Sequence, residues 1–147
     1  MKPLREFSLG GYFCGMGDIE MNVLLVEPGK APRAVELENT LEAMQHAVGG
    51  LIQAVYPFEE PVALICNDEG KLLGLPLNRA LSFSENGNCY DVIAGTFFLC
   101  CAPAGGDHFE GLSEEQLERY LDYFRTPELF LRVGNGLCVL PMVESDD

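Results

Sequence analysis

Residues 67–81 read NDEGKLLGLPLNRAL. Asn67, Asp68, Glu69 and Gly70 are turn formers in succession, and the glycine takes a positive φ without strain. The turn closes an apolar run, VALIC (62–66), with the length and composition of a strand. Beyond it, 71–73 is expected to pair back on VALIC. Gly74 and Pro76 then stop the return, because proline has no N–H for a central ladder. Leu77–Leu81 is short and is expected to form a single helical turn. A strand followed by a tight turn and a broken return points to antiparallel pairing, not to a parallel sheet with helical crossovers.

To the left, NVLLV (22–26) is a strand, EPGKAP (27–32) a loop broken by two prolines and a glycine, and 34–37 a second strand, together a hairpin. A helix is expected from Asn39, with Asn39 and Glu42 as a capping box. Leu41, Met44, Ala47 and Val48 mark its inner face, and Gly49-Gly50 ends it. LIQAVY (51–56) is a strand closed by Pro57. To the right, 82–90 is a polar loop, and DVIAGTFFLCC (91–101) reads as the longest strand, with Gly95 a bulge or close approach. A helix over 112–125 starts at Ser113, boxed by Gln116, and carries the stripe Leu117, Tyr120, Leu121 and Phe124. Thr126-Pro127 ends it, and 128–131 adds a turn. Gly134-Asn135-Gly136 then joins 131–133 and 137–140 as a hairpin.

The order β-β-α-β-β-β-α-β-β gives an α+β fold: a single domain with a mostly antiparallel sheet and two helices. It is expected to span 21–143, with 1–20 an N-terminal extension and 144–147 an acidic tail. Leu41, Met44, Val48, Ile65, Ile93 and Phe97 are the expected core.

Twenty-three acidic residues against nine basic ones give a net charge of −14, which repels a nucleic-acid backbone. Direct nucleic-acid binding is therefore not expected. The acidity serves solubility, or copies the charge of DNA toward a protein that binds it. No apolar run approaches the ~20 residues of a membrane span, and the first twenty residues make a poor secretory signal, so a cytoplasmic protein is expected. Six cysteines include no C-x-x-C pair, and a disulfide framework is not expected. A zinc site from Cys89, Cys101 and His108 has no standard spacing, so neither a metal nor a cofactor is expected.

The chain contains no nucleophile elbow, HExxH helix, phosphate loop or dinucleotide fingerprint, and no catalytic residue is assigned. A Cys89–His108 pair is one chance pairing among six cysteines and two histidines. A binding reading rests on Lys30, Asn67, Lys71, Asn78 and Arg79, cations and amides gathered in loops of an acidic chain. Brought together they would hold a small anion or nucleotide, with the arginine gripping through two parallel bonds. The competing reading has Asn78 and Arg79 fastening the irregular 74–81 segment to the body, since irregular backbone needs partners.

VEPGK (26–30), the VGG at 48–50, ICNDEGKLLGLPLNRAL (65–81) and IAGTFFL (93–99) together resemble a family of uncharacterised domains. Its members occur in phages and in the conjugative and integrative elements of gut Firmicutes. The resemblance covers roughly 21–141, and LSEEQLERYLDYFRTPELF (112–130) is similar to the tail of the Firmicutes members. It implies an accessory role on a mobile element and supplies no mechanism. The expectation is a non-enzymatic protein that binds a protein partner, in a counter-defence or DNA-mimic role. The alternative is the small-anion domain.

Overall fold

The computed structural model describes residues 20–81, 91–103 and 108–142. Five strands build the central sheet: β1 (Glu20–Val26), β2 (Arg33–Glu38), β3 (Ile52–Val55), β4 (Val62–Asn67) and, later in the chain, Phe97–Cys101. Between β4 and that last strand lie β5 (Leu77–Leu81) and β6 (Asp91–Ala94), so Phe97–Cys101 is β7. The sheet order is β2-β1-β7-β4-β3, with every neighbouring pair antiparallel. Helix α1 (Leu41–Val48) follows β2 and helix α2 (Glu114–Tyr123) follows β7. The chain is α+β, as expected.

Strand pleating decides the layers, since successive side chains point to opposite faces. Leu24, Leu99 and Leu64 stand abreast on β1, β7 and β4. They face a core closed by Leu112, Tyr120 and Phe124 from α2 and its flanks, and by Leu81 and Ile93 from β5 and β6. One residue along, Leu25, Phe98 and Ile65 stand abreast on the opposite face, covered by Met44 and Val48 of α1. Covered on both sides, β4 is buried at every position.

The helix ends follow local chemistry. Ser113 accepts from the Gln116 N–H and Gln116 reaches back, the expected capping box. The α1 cap moves by one residue: Thr40, not Asn39, accepts from Ala43 N at 3.1 Å. Asn39 instead donates to Phe109 O at 3.0 Å, tying the helix start to the chain after β7. Gly49, at φ 82°, ends α1 as expected. Leu41, the first residue of α1, is 56% exposed, against expectation; Met44 and Val48, further along the helix, carry the packing.

Four further expectations change. Residues 91–101 are two strands, not one. Gly95, at φ +85°, turns the chain out of the sheet, so β6 pairs with β5 in a separate ribbon while β7 enters the centre. Leu77–Leu81 is a strand, not a helical turn, because β6 gives it an antiparallel partner. Residues 71–73 do not pair on β4: Leu73 N donates to Glu69 O and Leu75 N to Gly70 O, winding the segment into turns. The 134–136 hairpin forms, but its strands β8 (Glu128–Val133) and β9 (Gly136–Pro141) run the full length and replace the expected turn at 128–131. Expectations for 1–19, 82–90 and 143–147 lie outside the described residues.

A Cβ at Gly95 would sit 2.8 Å from Leu75 Cδ1, in a backbone region costly for L-residues. Gly95→Ala should therefore lower stability by about 1–2 kcal/mol, read as a lower urea midpoint.

Candidate functional site

Three of the five residues singled out in the sequence, Asn67, Asn78 and Arg79, form two hydrogen-bonded knots. Asn67 ends β4 and is buried. Its amide donates to Val48 O at 3.1 Å, satisfying a carbonyl that the end of α1 leaves unpaired. Its oxygen accepts from Glu69 N at 2.7 Å and starts the turn. Gly50 lies against that amide: a Cβ there would come within 2.9 Å of Asn67 Nδ2. Glycine after α1 and asparagine after β4 are thus two halves of one contact.

Asn78 and Arg79 form the second knot, on β5 where the register shifts. Asn78 is fully buried and donates to Val26 O at 3.0 Å and Gly95 O at 2.8 Å. Arg79 is 1% exposed. Its Nε and Nη2 donate to Phe124 O at 3.3 and 2.9 Å, capping the end of α2. Nη2 also reaches Lys30 O at 2.8 Å, and Nη1 reaches Asn78 O and Oδ1 at 3.3 and 3.0 Å. A guanidinium has five N–H donors, and five bonds meet them. All the acceptors are neutral. Burial pushes the guanidinium pKa down, and the Glu128 carboxylate works against that shift. Glu128 is itself held by Ala80 N at 2.8 Å.

The motif segments read separately along the sequence therefore meet in two networks. Gly50 and Asn67 meet in one, and the Val26, Lys30 and Gly95 carbonyls meet Asn78 and Arg79 in the other. Residues 21–125 match the family described as a domain of unknown function, DUF3846. The chain belongs to that family. No curated protein and no solved structure matches it. Both knots lie inside the DUF3846 domain, whereas β8 and β9 lie beyond residue 125.

The cations are placed apart. Lys30 is exposed and gives the DUF3846 network only its carbonyl. Lys71 is exposed and pairs with Asp91 Oδ1 at 2.7 Å, an interaction worth at most about 1 kcal/mol. Asn67 and Lys71 line one cavity of about 290 Å³, whose charged side chains are Asp68, Glu69, Asp91 and Lys71. Three carboxylates against one ammonium do not favour an anion. Arg79 is outside that cavity, and its donors are already engaged. The burial of Arg79 had no plain signal in the sequence, since arginine is almost never fully buried unless paired.

Cys66 lines the same cavity; burial, then Asp91 and Asp68, push its thiol up to about 11. Burial pushes Cys100 up to about 12. Both stay neutral below those values, and the thiolate is the reactive form. An alkylating reagent at pH 8 should therefore label half-exposed Cys138 well before Cys66 and Cys100, as mapped by mass spectrometry on the native chain. Of the zinc trio, Cys89 lies outside the described residues. Among the described residues no group of three or more His, Cys, Asp or Glu is placed to hold a metal ion, and no helix is long and apolar enough to cross a membrane.

Proposed function

We propose that the chain is a non-enzymatic binding module whose partner is a protein with a basic surface. The observation that carries this is one face of the β8–β9 ribbon. Cross-strand register puts Leu129 opposite Leu140 and Leu131 opposite Cys138, with Val133 in line. Leu129, Leu131, Val133 and Leu140 are 43, 42, 61 and 41% exposed. A contiguous apolar surface of this kind marks an interaction site more often than scattered exposed residues do. The ribbon is held to the body at its base by Glu128 on Ala80 N, and Met142 N on Pro127 O closes its two strands together there.

The net charge of −14 supplies the second element of the reading. Acidic surroundings steer a positively charged partner and disfavour a second copy of the same chain. A DNA-acting protein, with its basic nucleic-acid-binding face, is the class of partner that fits. The accessory, counter-defence role on a mobile element belongs to this proposal and is supported by the family resemblance.

The test is affinity capture from the native host with the wild-type chain and with Leu131→Glu/Val133→Glu. Both positions are exposed, so the variant should melt like the wild type. A protein enriched by the wild type and lost with the variant is the expected result. The same proteins recovered with both chains would remove the ribbon from the account.

A further inference from the structure

We propose that β3 is a second docking edge, which takes an extended, basic–apolar peptide segment of a partner protein as a sixth strand. The sheet has two edges, and they differ in kind. β2 carries Arg33, Glu36 and Glu38, the charges that usually blunt an edge against pairing. β3 reads Ile-Gln-Ala-Val and carries none. It ends the sheet order, so among the described residues its outward N–H and C=O groups have no strand beside them. Leu51 and Tyr56, immediately before and after it, are 57 and 56% exposed.

A groove of about 470 Å³ runs beside this edge on the α1 face. Leu41 and Met44 form its helical wall, Ile52 and Tyr56 its strand wall, and Ala102 and Phe109 close the far side. An open edge next to an apolar groove under a helix is what strand addition requires. Main-chain bonds supply affinity, and every second side chain enters the groove. The exposure of Leu41, which contributes little to the core, is accounted for as one lip of that groove.

Charge selects the peptide. Among the described residues no lysine or arginine lines the groove, and His108 in its lining is paired with Glu110. Carboxylates stand next to its lining in sequence: Glu42 beside Leu41, Glu59 three residues past Tyr56 and Glu110 beside Phe109, all on exposed residues. A strand that alternates apolar with basic side chains would place the first in the groove and, by the pleat, the second on the opposite face, where Gln53 of β3 lines a cavity whose carboxylates Asp68, Glu69 and Asp91 outnumber Lys71. The surface is separate from the β8–β9 ribbon, so either can fail without the other.

A phage-displayed library of random dodecapeptides, panned on the full chain, tests this. Recovered peptides should alternate apolar and basic residues. Made synthetically, they should slow amide exchange within Ile52–Val55 at least tenfold. Their affinity should fall at least tenfold with Tyr56→Glu or Leu41→Glu, and be lost when a proline is placed mid-peptide. Leu131→Glu/Val133→Glu should leave their affinity unchanged. Failure to recover any peptide would overturn the proposal, as would peptides that protect another segment or bind both groove variants as well as the wild type.

Discussion

Phe97→Ala should lower the unfolding free energy by about 3–5 kcal/mol, the range for truncating a fully buried aromatic. Phe97 opens β7, the middle strand of the sheet, and has no exposed surface. Its ring meets Phe124 edge-on, with centroids 5.4 Å apart, where α2 ends. Two costs add. The transfer energy of the ring is lost, and a cavity opens between the sheet and α2 that neighbouring side chains cannot fill without moving a strand. The measurement is urea unfolding at constant m, where the change appears as a lower midpoint. A loss below about 0.5 kcal/mol would show that the ring is not in this core.

Arg79→Ala should cost a similar amount, roughly 3–5 kcal/mol, for a different reason. The guanidinium donates to the Lys30 carbonyl, and it is shared by Phe124 O, Asn78 O and Asn78 Oδ1. Removing it strands buried acceptors and leaves Glu128 without its nearby cation. Arg79→Lys is the sharper variant. An ammonium keeps the charge but cannot reproduce the planar fork, so at least one acceptor goes unmet, at about 1–3 kcal/mol. Phosphate and nucleotides should not raise the wild-type melting temperature. If Arg79→Lys were as stable as the wild type while one anion stabilised the wild type, the site would be a ligand grip and not a structural knot.

Antiparallel order, both helices and the strand at 62–66 are legible in the sequence because each rests on a local signal. Alternation, caps and turn residues act within a few positions. The β5–β6 ribbon is not legible. Gly74 and Pro76 mark a break correctly, but the chain resumes as a strand only because β6 is turned out of the sheet by Gly95 to meet it. That is a tertiary decision, and a continuous apolar run such as DVIAGTFFLCC conceals it. The candidate site divides in the same way. The segments containing Asn67, Asn78 and Arg79 stand out as motifs, yet residue type alone places an arginine at the surface. Only carbonyls from segments far apart in sequence, Val26 and Gly95 for Asn78 and Lys30 and Phe124 for Arg79, make burial affordable. The ribbon errs the other way. Leu129, Leu131 and Val133 alternate like a half-buried strand, and nothing local tells that they are left exposed.

The central claim is that the DUF3846 knots hold the fold while the β8–β9 ribbon meets the partner. Amide hydrogen exchange on the full chain, with and without the protein captured by it, tests this most directly. The account predicts at least tenfold slower exchange across Glu128–Val133 and Gly136–Pro141 in the complex, with the amides around Lys30, Lys71 and Arg79 unchanged. Protection confined to those three cations, with the ribbon exchanging as in the free chain, would contradict it.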